Sequence, residues 1–353
     1  MLYFSSNLRL PKYRPAADRL FAALDAHGVH YGLLDNTRDI WLRDFMPVRR
    51  KDGKYVSFRY EPSYLKDYSH LRTDFKRDIR DQFWIFDPSL GQVIYSRINL
   101  DGGNVVFSPS GEKAIISDRV FSENPKWERD ELIRELKLLL KAQVIIIPSL
   151  ASDLTGHADG MVRFVDEGTV IGNATPYKNG LEQRIKALLD GELKYKKYKS
   201  AGLDMSMHDF PYYTSSGVSA AGCYLNFLDT EQALFLPVFG AEDDPDAVRT
   251  AEGVFDKTVV PVDICEIAAD GGCLNCISWE IGVKDGKDVG FDIPVVLCPA
   301  CGGEVQALHG ICPRCGWEYD GVKENDEFSS ANNTMLGAYR KQWHQRCGKE
   351  NRN

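Results

Sequence analysis

Two Cys-x-x-Cys pairs, Cys298-Pro299-Ala300-Cys301 and Cys312-Pro313-Arg314-Cys315, stand ten residues apart near the end of the chain. No other feature restricts the fold as much. Two residues between cysteines let both thiolates reach one ion, and two such knuckles complete a tetrahedron. Gly302-Gly303 and Gly316 follow the knuckles, where tight turns need them. So short a stretch has little apolar surface to bury and is expected to fold around its metal. A closed set of four thiolates leaves no open coordination position, so the expected zinc is structural. His309 lies between the knuckles and is not needed as a ligand. The sequence thus divides into a body over 1–290, a zinc ribbon over 294–320 and a polar tail over 321–353. The boundary is placed near Asp285-Gly286-Lys287, and the tail, with its charged run Lys323 to Glu327, is expected to be partly disordered. Zinc ribbons also contact nucleic acid or protein, and nothing in the sequence selects either partner.

The body reads as mixed α/β. Short apolar runs at Leu2–Phe4, Val29–Leu34, Val56–Tyr60, Gln92–Tyr95, Asn104–Phe107 and Lys113–Ser117 predict strands. Further strands are predicted at Val144–Ile147, Gly160–Phe164, Thr169–Gly172, Tyr224–Phe227, Ala233–Phe239 and Thr258–Val262. Helices alternate with them. The segment Pro15–Ala26 places Ala16, Leu20, Phe21 and Leu24 on one face, and Trp127–Lys141 does the same with Leu132, Ile133, Leu136, Leu139 and Leu140. Two more helices are predicted near Leu181–Leu189 and Asp246–Phe255.

Several classes of function are disfavoured. The net charge of −8 argues against a duplex-DNA binder, which usually carries a basic face. It suits a cationic small substrate better. No Gly-x-Gly-x-x-Gly opens a helix and no Walker lysine loop is present, so nucleotide binding has no support. No apolar run approaches 18 residues, so no membrane span is expected. Met1–Ser6 lacks a basic start and an apolar stretch, so it is not read as a secretory signal, and a cytoplasmic location follows as the expectation. In that reducing setting the nine cysteines read as metal ligands, catalytic thiols or buried small residues.

Five short stretches of the body look over-specified for packing: Trp41-Leu42-Arg43-Asp44, Asp101-Gly102-Gly103-Asn104, Thr155 to Gly160, Gly222 to Asn226, and Asp270-Gly271-Gly272-Cys273-Leu274-Asn275-Cys276. They supply a thiol after a Gly-Gly turn, a histidine and several carboxylates. A cysteine and a histidine far apart in sequence are the makings of a thiolate nucleophile with an acid–base partner. If His157-Ala158-Asp159 is extended, His157 and Asp159 project to the same face.

Taken together and in this order, the five stretches resemble the agmatine deiminase and Porphyromonas-type peptidylarginine deiminase family of guanidine-modifying enzymes. The resemblance covers about residues 30–285. It implies the pentein fold, a five-bladed pseudo-symmetric ββαβ propeller with its active site on the axis. It implies Cys276 as nucleophile and His157 as the group that protonates ammonia and then activates water. Asp44 and Asp159 would clamp a guanidinium, and Asp101 would hold either His157 or the guanidinium. Asn226 would bond near the thiolate or the substrate, Trp41 would wall the pocket or belong to the core, and Gly160, Gly271 and Gly272 would line it. No catalytic cofactor is implied, and a homo-oligomer is left open. Two positions depart from the family: Asp101 stands where agmatine deiminases usually carry Glu, and Asn275 stands where His usually precedes the nucleophile. The peptidylarginine enzymes carry an arginine pair that grips a peptide carboxylate, whereas Phe58 to Tyr64 holds only Arg59. Deimination of agmatine or a related small guanidino compound, feeding putrescine biosynthesis in the agmatine case, is the leading expectation. A peptidylarginine or arginine deiminase, an amidinotransferase-like reaction of the same fold, and a non-catalytic ribbon-bearing interaction protein are the alternatives.

Overall fold

In a computed structural model the chain separates into two units, Met1–Gly282 and Val283–Asn353. The structure describes residues 1–80, 93–150, 153–172, 181–192, 198–200, 219–281, 295–306, 312, 314–319, 322, 324–329 and 332–350. The expected boundary at Asp285-Gly286-Lys287 and the start of the strand expected at Gln92 lie outside them.

In the first unit one strand pattern recurs. β1 (Leu2–Ser5) is followed by the helix Arg14–Ala26 and by β2 (Tyr31–Leu34), which pairs parallel with it. β3 (Val48–Arg49) and β4 (Tyr55–Arg59) form an antiparallel pair, and β5 (Ile94–Asn99) returns parallel to β4. The same order of pairing holds for β6 (Val105–Phe107), β7 (Lys113–Ser117) and β8 (Gln143–Ile147), with the helix Arg129–Leu140 before the return strand. It holds again for β9 (Val162–Asp166), β10 (Thr169–Gly172) and β11 (Tyr198–Ser200), joined across the helix Leu181–Glu192. It holds a last time for β12 (Leu228–Asp229), β13 (Leu234–Val238) and β14 (Val259–Asp263), joined across Asp244–Val254. Finally β15 (Trp279–Glu280) returns to lie antiparallel to β1, so one sheet is built from both ends of the unit. A parallel return requires a crossover, and the helices Arg129–Leu140, Leu181–Glu192 and Asp244–Val254 lie in three of these crossovers.

The helices form where the apolar spacing requires them. Ala16, Ala17, Leu20 and Leu24 are buried on the first helix, and Leu132, Leu136 and Leu140 on Arg129–Leu140. Each fully buried leucine contributes roughly 1.5–3 kcal/mol of transfer free energy. The first helix packs its face into a cluster that includes Phe4, Phe235, Phe239 and Leu274. Leu274 opens the short helix Leu274–Ile277, so the core directly anchors the segment that carries Cys276.

Two local expectations are corrected. Tyr224-Leu225-Asn226 is not a strand but a run of turns, with Asn226 N–H donating to the Cys223 carbonyl and the paired strand starting only at Leu228. Gly222, at φ +88°, starts that bend. His157-Ala158-Asp159 is not extended either. Ala158–Gly160 is a single 3-10 turn, and Met161 N–H donates to the Ala158 carbonyl. Apolar–polar alternation cannot separate these cases, because turns held by side-chain hydrogen bonds carry no period.

In the second unit β16 (Val295–Leu297) and β17 (Glu304–Gln306) form a hairpin around the first knuckle. The tail, expected to be partly disordered, carries the hairpin β18 (Phe328–Ser329) and β19 (Thr334–Met335) and the helix Leu336–Glu350. Leu336, Tyr339 and Trp343 pack with Trp317 and the four knuckle cysteines. The tail's few apolar residues fall on one helical face at i, i+3 and i+7, a spacing that its polar average composition conceals.

Candidate active site

Cys276 sits at the third position of the helix Leu274–Ile277, which Cys273 separates from Gly271-Gly272. Gly271 has φ +101°. A Cβ on Gly272 would stand 2.3 Å from Cζ3 of Trp41, so only glycine lets that indole lie against the turn. Trp41 is half-buried and packs on the large core cluster, which makes it both a core residue and a boundary of this region.

The other side chains arrive on turns at the starts and ends of strands. Asp44 lies on the short helix Leu42–Phe45, Asp101 precedes the turn Gly102–Asn104, His157 caps the turn Ala158–Gly160, and Asp159 is inside it. Gly160, in the same turn, is buried. Asn104 ties two of these turns together by accepting from Ser117 N–H and Ala158 N–H through its side-chain oxygen. Gly103 is compelled to be glycine: a Cβ there would lie 2.6 Å from Asp44 Oδ1 and 2.7 Å from His157 Nδ1.

Two hydrogen-bonded groups result. In the first, His157 Nε2 meets Asp101 Oδ2 at 2.9 Å, and Tyr64 donates to the same oxygen at 2.8 Å. His157 Nδ1 is 3.6 Å from Asp44 Oδ1, which also accepts from Gly103 N–H at 3.2 Å. In the second, Asp159 Oδ2 accepts from Asn226 Nδ2 at 2.9 Å and from Asn275 Nδ2 at 2.7 Å, and the Cys276 thiol is 3.9 Å away. Asn226 Oδ1 accepts from the backbone N–H groups of Asn275 and Cys276, which fixes the turn that presents the sulfur. Asp44, Asp101, His157, Asp159, Asn226 and Asn275 are all buried, and Cys276 is half-buried. His157 and Asp159 thus contact different groups rather than sharing the face that an extended segment would give. Asp101 bonds the imidazole.

The electrostatics follow from three buried carboxylates around one thiol and one imidazole. Burial raises the Asp44 pKa to about 8; His157 opposes that rise, while Asp101 and Asp159 add to it. Burial pulls the His157 imidazole down, but Asp44, Asp101 and Asp159 outweigh it and raise its pKa to about 10. Burial, then Asp159 and Asp44, push the Cys276 thiol well above its usual value. Both Asp44 and Asp159 act on both the thiol and the imidazole, which places the two groups in one field. Asp39, raised to about 7 by burial, adds further negative potential beneath Trp41. Burial and the carboxylates therefore favour a neutral thiol beside a charged imidazole. The sequence reading missed Tyr64, which carries no signal until folding brings it to Asp101, and Asp39, which bonds the Trp41 N–H two residues along but lies outside the five stretches.

A family profile described as Porphyromonas-type peptidyl-arginine deiminase matches residues 15–281 of the 353. The chain belongs to that family. A relative from Selenomonas ruminantium, provisionally named an agmatine deiminase, is 24% identical over 303 residues, 76% of this chain and 81% of its own length. The structure of the C. jejuni agmatine deiminase with substrate bound superposes with a TM-score of 0.62 at 15% identity, over 79% of this chain and 92% of that one. A crystal structure provisionally named a peptidyl-arginine deiminase gives the same TM-score at 21% identity, over 79% and 94%. These likenesses establish that this member of the Porphyromonas-type family has the pentein-type fold that its motifs imply. At this identity they carry no more than the fold.

In the second unit the four sulfurs of Cys298, Cys301, Cys312 and Cys315 lie within 4.8 Å of one another. The closest pairs are Cys298–Cys315 at 3.5 Å and Cys301–Cys312 at 3.6 Å. Tetrahedral thiolates with metal–sulfur bonds of about 2.3 Å have sulfurs about 3.8 Å apart, so the cluster has the size such an ion requires. His309 and Pro313 lie outside the described residues.

Proposed function

We propose that this protein is a guanidino-group deiminase that hydrolyses a C–N bond of a small guanidino compound, agmatine or a near relative, to a ureido product and ammonia. The single observation that carries the reading is the convergence of Cys276, His157 and three buried carboxyl groups, drawn from distant parts of the chain, in one buried field. A guanidinium is a cation that such carboxyl groups can hold by its edges. Its planar N–H edges suit carboxylates on two sides, the role given to Asp44 and Asp159. Once it is bound, its charge offsets the repulsion that keeps the Cys276 proton in place, that proton is released to solvent, and the thiolate becomes available as nucleophile.

The sulfur attacks the guanidino carbon, and the resulting tetrahedral carbon expels one nitrogen. His157, already protonated in the empty site, delivers its proton to the leaving ammonia. A water then gives its proton to the neutral imidazole and attacks the S-bound carbon. The C–S bond breaks, the ureido product leaves and the thiol re-forms. Asp101, bonded to His157 and to Tyr64, orients the imidazole, and Asn226 and Asn275 orient Asp159. Trp41, Gly160, Gly271 and Gly272 would line the substrate channel. The recurring strand pattern supports five blades around an axis that passes through this site. None of these steps draws on a cofactor.

Incubation with agmatine, arginine and arginyl peptides, with ammonia and product mass measured, tests the reading. A mass gain of a ureido group's oxygen for NH supports deimination, and a transferred amidino group would replace it with the amidinotransferase reaction. The thiol's environment gives a further expected result. Neutral iodoacetamide should label Cys276 slowly at pH 7–8, with the rate climbing as pH rises past 9, because burial and Asp159 hold the proton on. Cationic 2-chloroacetamidine should label it much faster at the same pH. Equal rates for both reagents would remove the argument for a cation-assisted thiolate.

The ribbon reading extends to zinc. The cysteine cluster fits a structural tetrahedral ion, and the packing of Trp317 and Leu336 on the same cysteines makes the unit's small core dependent on it. One zinc per chain is expected by elemental analysis. Cys298→Ser should lower that content and unfold the helix Leu336–Glu350 by hydrogen exchange, while leaving ammonia release within about two-fold. Full helical protection without zinc would rule the proposal out.

A further inference from the structure

Beside the site lies a second opening, a cleft of about 520 Å³. Arg59, Lys66, Arg72, Arg97 and Lys126 line it, against only two carboxylates, Glu61 and Glu123. Both carboxylates are engaged elsewhere: Glu61 faces Arg59 at 3.6 Å, and Glu123 is bonded to Arg119 and to Ser63. Among the described residues no carboxylate lies within ion-pairing distance of Lys66, Arg72, Arg97 or Lys126. Four cations without a carboxylate partner among the described residues are unexpected in one concavity of a chain whose net charge is −8. Like charges so placed repel, and the arrangement costs stability unless something anionic offsets it.

The cleft is built rather than accidental. Its floor is a pair of buried amides. Asn99 N–H donates to Asn124 Oδ1, and Asn124 Nδ2 donates back to the Asn99 carbonyl, both at 2.8 Å. Asn99 also fixes the Glu61 backbone, through Oδ1 from its N–H and Nδ2 to its carbonyl, each at 2.8 Å. The half-buried Trp127 adds an apolar wall. Asn99 and Glu123 also line a small cavity bounded by Tyr64, Asp101 and His157, so the cleft shares a wall with the acid–base pair.

We propose that this cleft is a binding site for a dianionic group, a phosphate monoester or a pair of carboxylates, carried by a small molecule. The arginines come from β4, from the residue ending the 3-10 stretch Ser63–Leu71, and from β5, so guanidinium forks approach from separate elements. That suits a tetrahedral or branched anion better than one planar carboxylate. The volume fits a small ligand, and the chain's overall charge is against a polynucleotide track. The anion can be the far end of the guanidino substrate or a separate effector. The site itself does not depend on the proposed reaction.

The test uses the full chain with inorganic phosphate and pyrophosphate as probes, by titration calorimetry at constant ionic strength in chloride. Both should bind, pyrophosphate more tightly, and Arg72→Gln/Arg97→Gln should weaken binding by about ten-fold or more, the loss expected for charge-assisted hydrogen bonds. The milder Lys66→Gln/Lys126→Gln pair guards against misfolding and should weaken binding by a smaller factor. Turnover separates the sources. If the arginine pair raises KM for Nα-succinylarginine but leaves agmatine unchanged, the anion is the substrate's own. If phosphate changes kcat for agmatine in the parent but not in the variant, it is a separate effector. Phosphate binding no stronger than chloride, or undiminished in both variants, overturns the site. So does a single-stranded oligonucleotide that outcompetes pyrophosphate with a steep salt dependence. Calorimetry reads the site even in a protein that turns over no guanidino compound, so this failure and failure of the reaction are told apart.

Discussion

Cys276→Ala is expected to reduce ammonia release from any accepted guanidino substrate by about 10⁴-fold or more, because a covalent route loses its only nucleophile. The fold should be unaffected, since the side chain is half-buried and its structural bonds are made by its backbone N–H to Asn226 Oδ1. Labelling by 2-chloroacetamidine, read by peptide mapping, should vanish together with activity. The neighbouring thiol gives the control. Cys273 is fully buried, bonds the Ala220 carbonyl, and has its pKa driven up by burial and by Cys223. Cys273→Ala should therefore keep most of the turnover and all of the label. Transfer of the label to Cys273, or turnover retained without Cys276, would end the proposed mechanism.

Asp44→Asn should do two opposite things. Turnover is expected to fall by about 10²–10⁴-fold, because one side of the guanidinium clamp loses its charge. Stability at pH 7.5 is expected to rise by about 1 kcal/mol, some 2–4 °C in Tm for a unit of this size. The sign follows from linkage. Burial raises the Asp44 pKa to about 8 in the folded chain, against 3.8 without the fold. Between those values the folded state binds the extra proton, so stability falls as pH rises through the window. Asparagine has no proton to lose and keeps the acceptor for Gly103 N–H. The lost attraction to His157, 3.6 Å away, subtracts from the gain, but burial is the larger influence. The difference in Tm should vanish well below the unfolded value of 3.8, where the unfolded carboxylate is protonated as well. A variant that is less stable at pH 7.5 yet equally active would contradict the reading of Asp44 as a strained functional carboxylate.

Much of this was legible in the sequence wherever chemistry is tied to local spacing. The paired knuckles from Cys298 to Cys315 announced a four-sulfur cluster, because ligands two residues apart are brought together by one turn. Helical faces such as Ala16, Leu20 and Leu24 were equally plain, since burial follows the period of 3.6 residues. The tail's helix was not legible, because average polarity hid three apolar residues on one helical face. The strand expected at Tyr224–Phe227 was misjudged, and the extended form considered for His157–Asp159 does not occur, because side-chain hydrogen bonds, not periodicity, hold those turns.

By itself, then, the sequence determined which reactive groups this protein possesses and which short segments carry them, since motif order and local spacing need no third dimension. Only the tertiary structure decided that His157 bonds Asp101 while Asp159 is held by two asparagines beside the thiol, and that basic side chains from separate elements gather in one cleft. Those partners lie tens to more than a hundred residues apart along the chain, and buried charges acquire their chemistry from whichever neighbours folding brings within a few ångströms.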